Sequence, residues 1–514
     1  MMKKRLQTLI MLGLITMLGF NGCNKEQEAP VVEETPEIIV EEVEIPEEVV
    51  EEAVEDKIPL TIHVDKKSKK YYFENGEEAN LYLQYCDVTV EGDGCENLKR
   101  NIENWSMERS EQLRSLYNSF GEVASSEEES EYFFGYSFYQ TVSTARADGA
   151  VVSLLEDDYQ YEGHAAHGSM YREGINFDSA TGKRLTLADL FYDYAAFSGE
   201  ARERVVYELR EKYGEELFED YVTTVDNLWK DGAEPQWYLD ASGIVIVLQE
   251  YMVGPYAMGM PEICLPYAEF APYIKEEYLP QNTAGVAAFQ VNQEIFLNLP
   301  GIEEEVSMML VCAVEEDSMT NSLWLGQNEL PMDDYLALGD AYLVKNDKDI
   351  YCMIEADMAS DDYVTYIYRL TNGVIEKIEE IYGAIDAGNI NAHEVEMESW
   401  VNILGTYGGT KNYHFDEDGN FVTEDTEYIL GRNDYALTTT VELPVSINDV
   451  ESMLPVGSHI IINATDGETY VKFTIQETGE TGILNVVRDK EEYYKIFIDG
   501  KAEDECFEML PYAG

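Results

Sequence analysis

Hydrophobic residues recur along this chain with three different spacings, and each spacing predicts a different element. Leu60, Ile62 and Val64 alternate with polar residues and Tyr71 to Phe73 follow, which predicts a β-hairpin where folded sequence begins. Leu98, Ile102, Trp105, Leu113, Leu116, Tyr117 and Phe120 recur every three or four positions, as on one face of a helix running from about 96 to 120. Strands are expected at 136–142 and 151–155, beyond the polar stretch Ser125 to Ser130. A second amphipathic helix carries Val205, Val206, Leu209, Tyr213, Leu217 and Phe218. From Gly243 to Leu248 the run is wholly apolar, which predicts a strand covered on both faces. Ile263 to Tyr267 and a short helix near 270–274 complete that unit.

Beyond it, residues 286–432 read as a strand-rich meander with no internal period, so a propeller is not indicated. Strands near 437–443, 459–462, 470–475, 483–487 and 494–498, joined by tight turns at Thr465-Asp466-Gly467 and Glu480-Thr481-Gly482, suit a small SH3-like barrel over 435–514. The expected fold class is therefore α+β for two N-terminal domains, 57–174 and 175–280. Antiparallel β structure is expected for the C-terminal half.

The N-terminal pattern has a different meaning. Met1 to Arg5 is basic, Leu6 to Phe20 is apolar, and Asn21-Gly22-Cys23 follows. A spanning helix needs about 20 apolar residues, so this is read as an export signal. The cysteine at the break makes 1–23 resemble a bacterial lipoprotein signal, with Cys23 as the lipidated residue. Phe20 and Asn21 depart from the usual pattern, and a simple signal peptide cleaved elsewhere is the alternative. Residues 24–56 are almost wholly Glu, Val, Ile and Pro, with Pro30, Pro36 and Pro46 as helix breakers, which predicts an extended acidic tether.

Charge narrows the partners. The 514 residues carry 34 Lys and Arg against 102 Asp and Glu, a net charge of −68. Such a surface repels phosphate, so nucleic acid is not an expected partner, and the membrane is expected to be reached through the lipid anchor only. Cationic proteins or metal ions are the natural counterparts. Beyond Cys23 there are six cysteines; Cys86 and Cys95 are the candidate disulfide, while Cys264, Cys312 and Cys352 sit in apolar surroundings as expected of buried thiols.

Catalytic signatures are sparse. There is neither a Gly-x-Ser-x-Gly elbow nor a His-Glu-x-x-His helix. His164 and His167, near Asp157 and Asp158, are weak zinc candidates, because small residues between them suit a tight turn. His414 to Asn420 resembles part of a calcium loop, but His414 and Asp425 occupy ligand places poorly, and Asp418-Gly419 between aromatic pairs suits a hairpin better. No catalytic residue and no cofactor are expected. The 37 tyrosines fit recognition surfaces as well as strand packing.

Two segments carry a family resemblance. The first is Tyr161 to Phe191, with Ala166-His167-Gly168, Asn176-Phe177-Asp178, Thr181-Gly182-Lys183 and Leu187-Ala188-Asp189-Leu190-Phe191 in order. The second runs from Gly243 through Tyr251, Gly254-Pro255-Tyr256-Ala257-Met258-Gly259 and Ile263-Cys264-Leu265-Pro266-Tyr267. Together they resemble the extracytoplasmic domain pair of RsiV-type lysozyme-sensing anti-sigma factors, which also accompanies the catalytic domain of PdaC-type peptidoglycan deacetylases. His164-Ala165 stands where the family has Gly-Gly. The resemblance implies a PdaC-type domain at 57–174, an RsiV C-terminal-type domain at 175–280, and ligand recognition around His167, Gly168, Tyr251, Tyr256, Gly259 and Tyr267. It implies a lysozyme-like cationic protein as ligand, with peptidoglycan as the rival partner. No counterpart of the deacetylase catalytic domain follows residue 280, and with five residues before the apolar run no sigma-binding domain is expected. The expectation is a non-catalytic lipoprotein on the outer face of the cell membrane, with a deacetylase of unrecognised type as the third reading.

Overall fold

The computed structural model describes residues 60–72, 79–124, 135–163, 165–315, 318–332, 337–358, 362–431, 435–490, 492 and 495–512. The signal, Cys23, the acidic tether, Ser125 to Ser130 and His164 lie outside the described residues. Strand outweighs helix, 49% to 19%, and the helices lie in the N-terminal half, as the periodicities predict.

The hairpin expected from Leu60–Val64 and Tyr71–Phe73 is corrected: Ile62, Val64 and Tyr71 belong to one strand, β1 (Thr61–Tyr72), which pairs antiparallel with β2 (Ala79–Glu91) along their whole length. Helix α1 (Glu96–Ala124) follows and buries Leu98, Ile102 and Leu113 against them, as its spacing requires. Next come β3 (Tyr136–Ala147), β4 (Val151–Glu162) and β5 (Ser169–Asp178), paired in sequence order. Along β3, Tyr136, Phe138, Gln140 and Val142 are buried while Tyr139 and Thr141 face out. The turn Asp178 to Lys183 then packs on the start of α1. Gly182 has φ +71 and lies so close to Asn97 that a Cβ would fall 2.5 Å from its backbone.

The second helix, α2 (Tyr194–Tyr213), is capped by Asp193, whose carboxylate accepts from the Ala196 N–H, and buries Phe197, Ala201, Val205 and Leu209 at four-residue spacing. It covers one face of a three-stranded sheet of β6 (Gln236–Leu239), β7 (Gly243–Val247) and β8 (Glu262–Pro266). Every residue of β7 is buried. Ile244 and Ile246 pack with Phe197 and Val205, whereas Val245 and Val247 pack with Ala145 of β3 and, at its edge, Leu155 of β4. The strand is thus covered twice, once within its own unit and once by the first sheet.

The first sheet does not stop at β5. One edge of β3 carries β4, and the other takes β2 in parallel at Tyr136–Tyr139 and then β9 (Gly285–Ala288) at Arg146 and Ala147. A separate four-stranded sheet, β10 (Ile295–Leu297), β11 (Val306–Glu315), β12 (Ser318–Leu325) and β13 (Asn328–Pro331), comes next in the chain. Through β9 the first sheet continues into β14 (Ala337–Lys345), β15 (Ile350–Asp357), β16 (Tyr363–Thr371) and β17 (Val374–Tyr382). One apolar core accordingly joins Ile62, Ile102 and Val142 to Met353, Ile367, Ile390 and Met397. The last large sheet begins with β18 (Ala384–Ile390), β19 (Val395–Asn402) and β20 (Thr406–Phe415). It runs on through Tyr428–Leu430, His459–Thr465, Tyr470–Ile475, Thr481–Asn485, Leu443–Ile447 and Val450–Leu454. The SH3-like barrel is not confirmed: these pairings form an open path that starts well before residue 435.

The expected disulfide is corrected. Between Cys86 and Cys95 the chain stays in β2 as far as Glu91 and turns only at Asp93–Gly94. Ser110 of α1 donates to the Cys86 carbonyl, and Cys95 precedes Ser110 by 15 helical residues, about 22 Å at 1.5 Å per residue. That is far outside disulfide reach, and both thiols are free, Cys86 donating to the Gln140 carbonyl and Cys95 to that of Gly92. The hairpin preferred over a calcium loop is present: His414–Phe415 pairs with Phe421–Val422, and the Asp416 carboxylate accepts the N–H groups of Asp418 and Asn420.

The polar joint of the fold is Arg146, 1% exposed. Its Nε donates to Asp148 at 2.8 Å, Nη1 to the Tyr267 hydroxyl at 2.9 Å and the Tyr278 carbonyl at 3.0 Å, and Nη2 to the Leu279 carbonyl at 3.1 Å. Replacing Arg146 by Met should lower unfolding stability by about 3–5 kcal/mol, since Asp148 and two carbonyls lose their partner; urea denaturation checks this. Burial, above all, pushes the Asp240, Glu355 and Glu396 carboxyls up to about 7. The folded chain therefore holds protons that the unfolded chain releases near pH 4, so their contribution is full below that pH and is lost as pH rises towards 7. Thermal melts should show a falling midpoint from pH 5 to pH 8.

Candidate functional site

Antiparallel pairing puts directly opposed residues on one face, so the register of β3, β4 and β5 places Tyr139, Tyr159 and Met170 side by side on the outer face. Tyr82 of β2 joins them, its ring 4.8 Å from Tyr139, and Tyr139 lies 6.0 Å from Tyr159. The row continues over Gly168, where a Cβ would fall 2.3 Å from the Tyr159 ring; only glycine lets that ring lie on the backbone.

His167 extends the row onto the loop that follows β7. Its ring stacks on Tyr256 at 3.9 Å with planes 21° apart, and its Nε2 is 3.0 Å from the Tyr251 hydroxyl. Nδ1 lies 2.7 Å from the Gly168 carbonyl, which can only accept, so Nδ1 bears a proton and donates to it. Tyr251 reaches this place by adopting φ +61, a conformation unusual for a tyrosine. The loop is fastened to β5 by side chains that imitate a strand. Gln249 accepts from the Arg172 N–H and donates to its carbonyl, and Glu250 accepts from the Met170 N–H. Burial and the Glu250 carboxylate hold the Tyr256 phenol above its ordinary range.

Carboxylates border the rings. Two residues beyond Tyr159 on the same face, Asp157 chelates Arg172 with both oxygens at 2.6 and 2.7 Å, and Glu262 takes the third guanidinium nitrogen at 2.6 Å. Tyr251 is 50% exposed and Tyr139 38%, so the row meets solvent.

Of the residues singled out from sequence, His167, Gly168, Tyr251 and Tyr256 are brought together. Gly259 instead ends the short turn Tyr256–Met258, at φ +67 with nothing within 4 Å of its missing Cβ. Tyr267 is elsewhere, with its hydroxyl bound by Arg146, so its position is explained by the joint and not by a surface. Zinc at His167 has no support: both its nitrogens are engaged, and among the described residues no three His, Cys, Asp or Glu side chains form a metal-binding group. Tyr82, Tyr139 and Tyr159 were missed. Their signal was tyrosine at the outward phase of an alternating strand, where a polar residue is expected.

The loop and helix that complete this surface can be placed among known proteins. Residues 188–268 match the family described as a protein of unknown function, DUF3298. They are a DUF3298 domain. Tyr251, Tyr256, Gly259 and Tyr267 lie within it, while His167 and Gly168 precede it. Among solved structures, a DUF3298 family protein from Pseudomonas aeruginosa PAO1 is 19% identical, with 44% of this chain and 98% of that chain covered and a TM-score of 0.33. A member of the DUF3298 family from Bacteroides fragilis NCTC 9343 is 16% identical, with 42% and 94% covered and a TM-score of 0.33. No curated protein matches the chain.

Gly168→Ala should displace Tyr159 and lower stability by about 1–3 kcal/mol, the usual cost of forcing extra atoms into a packed contact. The same substitution beside Tyr159→Ala should cost much less. Urea melts of the two singles and the double test the contact.

Proposed function

We propose that this chain is a non-catalytic cell-surface lipoprotein, lipidated at Cys23, that binds a cationic extracytoplasmic protein of lysozyme type through the Tyr/His row. The observation that carries the reading is the solvent-facing stack of His167, Tyr256 and Tyr251, continuous with Tyr159 and Tyr139 and bordered by Asp157 and Glu250. Aromatic faces attract Lys and Arg by about 0.5–1 kcal/mol each at exposed sites, and neighbouring carboxylates add to that attraction. A net charge of −68 steers basic proteins towards the chain before contact. The RsiV- and PdaC-type pattern of 161–191 and 243–267 belongs to the same reading, since its second segment carries Tyr251 and Tyr256.

Peptidoglycan is the second reading, favoured by the same stacked rings, which can cover the apolar faces of sugars. The two separate cleanly. The intact chain should bind a basic lysozyme saturably at low salt, with affinity falling steeply as salt rises. Tyr251→Ala combined with Tyr256→Ala should weaken binding about tenfold or more, while pull-down on purified sacculi stays weak. No saturable binding at low salt, or binding indifferent to both tyrosines, would sink the lysozyme reading; retention on sacculi lost with the tyrosines would put peptidoglycan in its place.

A further inference from the structure

Further along the same outer face, where β3 to β5 meet β8, β14, β18 and β19, lies a solvent-open cleft of 610 Å³, within the range typical of small-molecule sites. Six carboxylates and two cations line it: Asp157, Asp240, Glu262, Asp340, Asp386 and Glu398 against Lys66 and Arg172. Both cations are already committed. Arg172 is held by Asp157 and Glu262, and Lys66 pairs with Asp386 at 3.1 Å. No Lys or Arg among the described residues pairs with Asp240, Asp340 or Glu398, and Asp240 is satisfied only by the N–H groups of Ser242 and Gly243. The wall also holds Thr144, fully buried, whose hydroxyl has no hydrogen-bond partner. An orphaned buried hydroxyl on the wall of a cleft whose carboxylates outnumber its cations six to two points to a donor that comes from outside the protein.

We propose that this cleft binds an organic diamine or polyamine. Leu155 and Val291, partly exposed, offer apolar wall for a methylene chain, and Asp340 and Glu398 are exposed carboxylates available to its ammonium ends. A chelated metal fits less well, because the carboxylates are spread around the cleft and, among the described residues, no three of them form a metal-binding group. This site shares Asp157 with the border of the Tyr/His row, but Asp340 and Glu398 lie on other strands, so the proposal does not depend on what that row binds.

Titration calorimetry of the intact chain with 1,5-diaminopentane and with spermidine should give saturable binding. Asp340→Asn and Glu398→Gln are substitutions at exposed positions that leave the fold intact, and each should weaken binding about tenfold, as loss of a charge-assisted hydrogen bond does. Thr144→Val should weaken it about threefold. The proposal is overturned by absence of saturable binding, or by affinities unchanged in Asp340→Asn and Glu398→Gln. It is equally overturned if calcium chloride binds and is lost in the same variants while diamines do not bind. If Nα-acetyl-lysine amide binds as tightly as diaminopentane, the site takes a single ammonium such as a protein side chain, and the polyamine assignment fails.

Discussion

A guanidinium removed from water must have nearly all its donors satisfied, and Arg146 achieves this only by drawing three separate segments to one point. Asp148 comes from the turn after β3, Tyr267 from the end of the DUF3298 domain, and the Tyr278 and Leu279 carbonyls from the segment that leads to β9. Asp148 is itself committed, accepting from the N–H groups of Ala150 and Val151. None of these segments can move far without stranding a charge. Such a bond set contributes less as net stability than as registration, because the desolvation of Arg146 offsets much of what its partners return. It fixes where the chain crosses from the second unit back to the first sheet.

That crossing explains why apparently separate domains share cores. Residue 147 pairs with residue 286, and the next strands, β14 to β17, extend the same sheet. The Val64 backbone is bonded on both sides by the Asn389 side chain, across 325 residues of sequence. The fully apolar β7 is the counterpart in packing. Its two faces serve two different cores, so the DUF3298 domain cannot leave β3 and β4 without exposing Val245 and Val247. Apolar burial and the Arg146 bonds thus act at the same junction, one without direction and the other with it.

What could be read from sequence divides along the same line. Helix α1 and the two-sided strand β7 were legible because each is a local pattern of apolar spacing. The meeting of His167 with Tyr251 and Tyr256 was half legible: the residues were singled out, but nothing local says that 84 positions of separation close to a hydrogen bond. Sheet continuity through β9 was not legible, since a four-residue strand carries no information about which distant edge it joins. The proposed Cys86–Cys95 pair failed for a geometric reason. Nearness in sequence implied nearness in space, yet one thiol lies mid-strand and the other at the start of a long helix that runs back past it. The Tyr82–Tyr139–Tyr159 row was hidden because each ring belongs to a different strand, and only register makes them neighbours.

The disposition of the few basic residues sharpens the meaning of the acidic composition. Arg109 is spent on Glu156 and Asp158, Arg146 on Asp148, and Arg172 on Asp157 and Glu262. Each is partly or wholly withdrawn from solvent, so these guanidiniums neutralise their partners without offering positive charge to the surface. The carboxylates of β3 to β5 beside the rings are therefore neutralised, and the exposed ones without a paired cation, Asp340 and Glu398, lie across the cleft on β14 and β19. Screening in physiological salt acts over about 8 Å, which is less than two strand spacings. Asp157, two residues from Tyr159 and on the wall of the cleft, is shared by the rings and the cleft. The rings select cations by contact with their faces, whereas the cleft selects them by charge within partly enclosed walls, where screening is weaker. A single acidic face can in this way hold two kinds of cation recognition that differ in salt dependence.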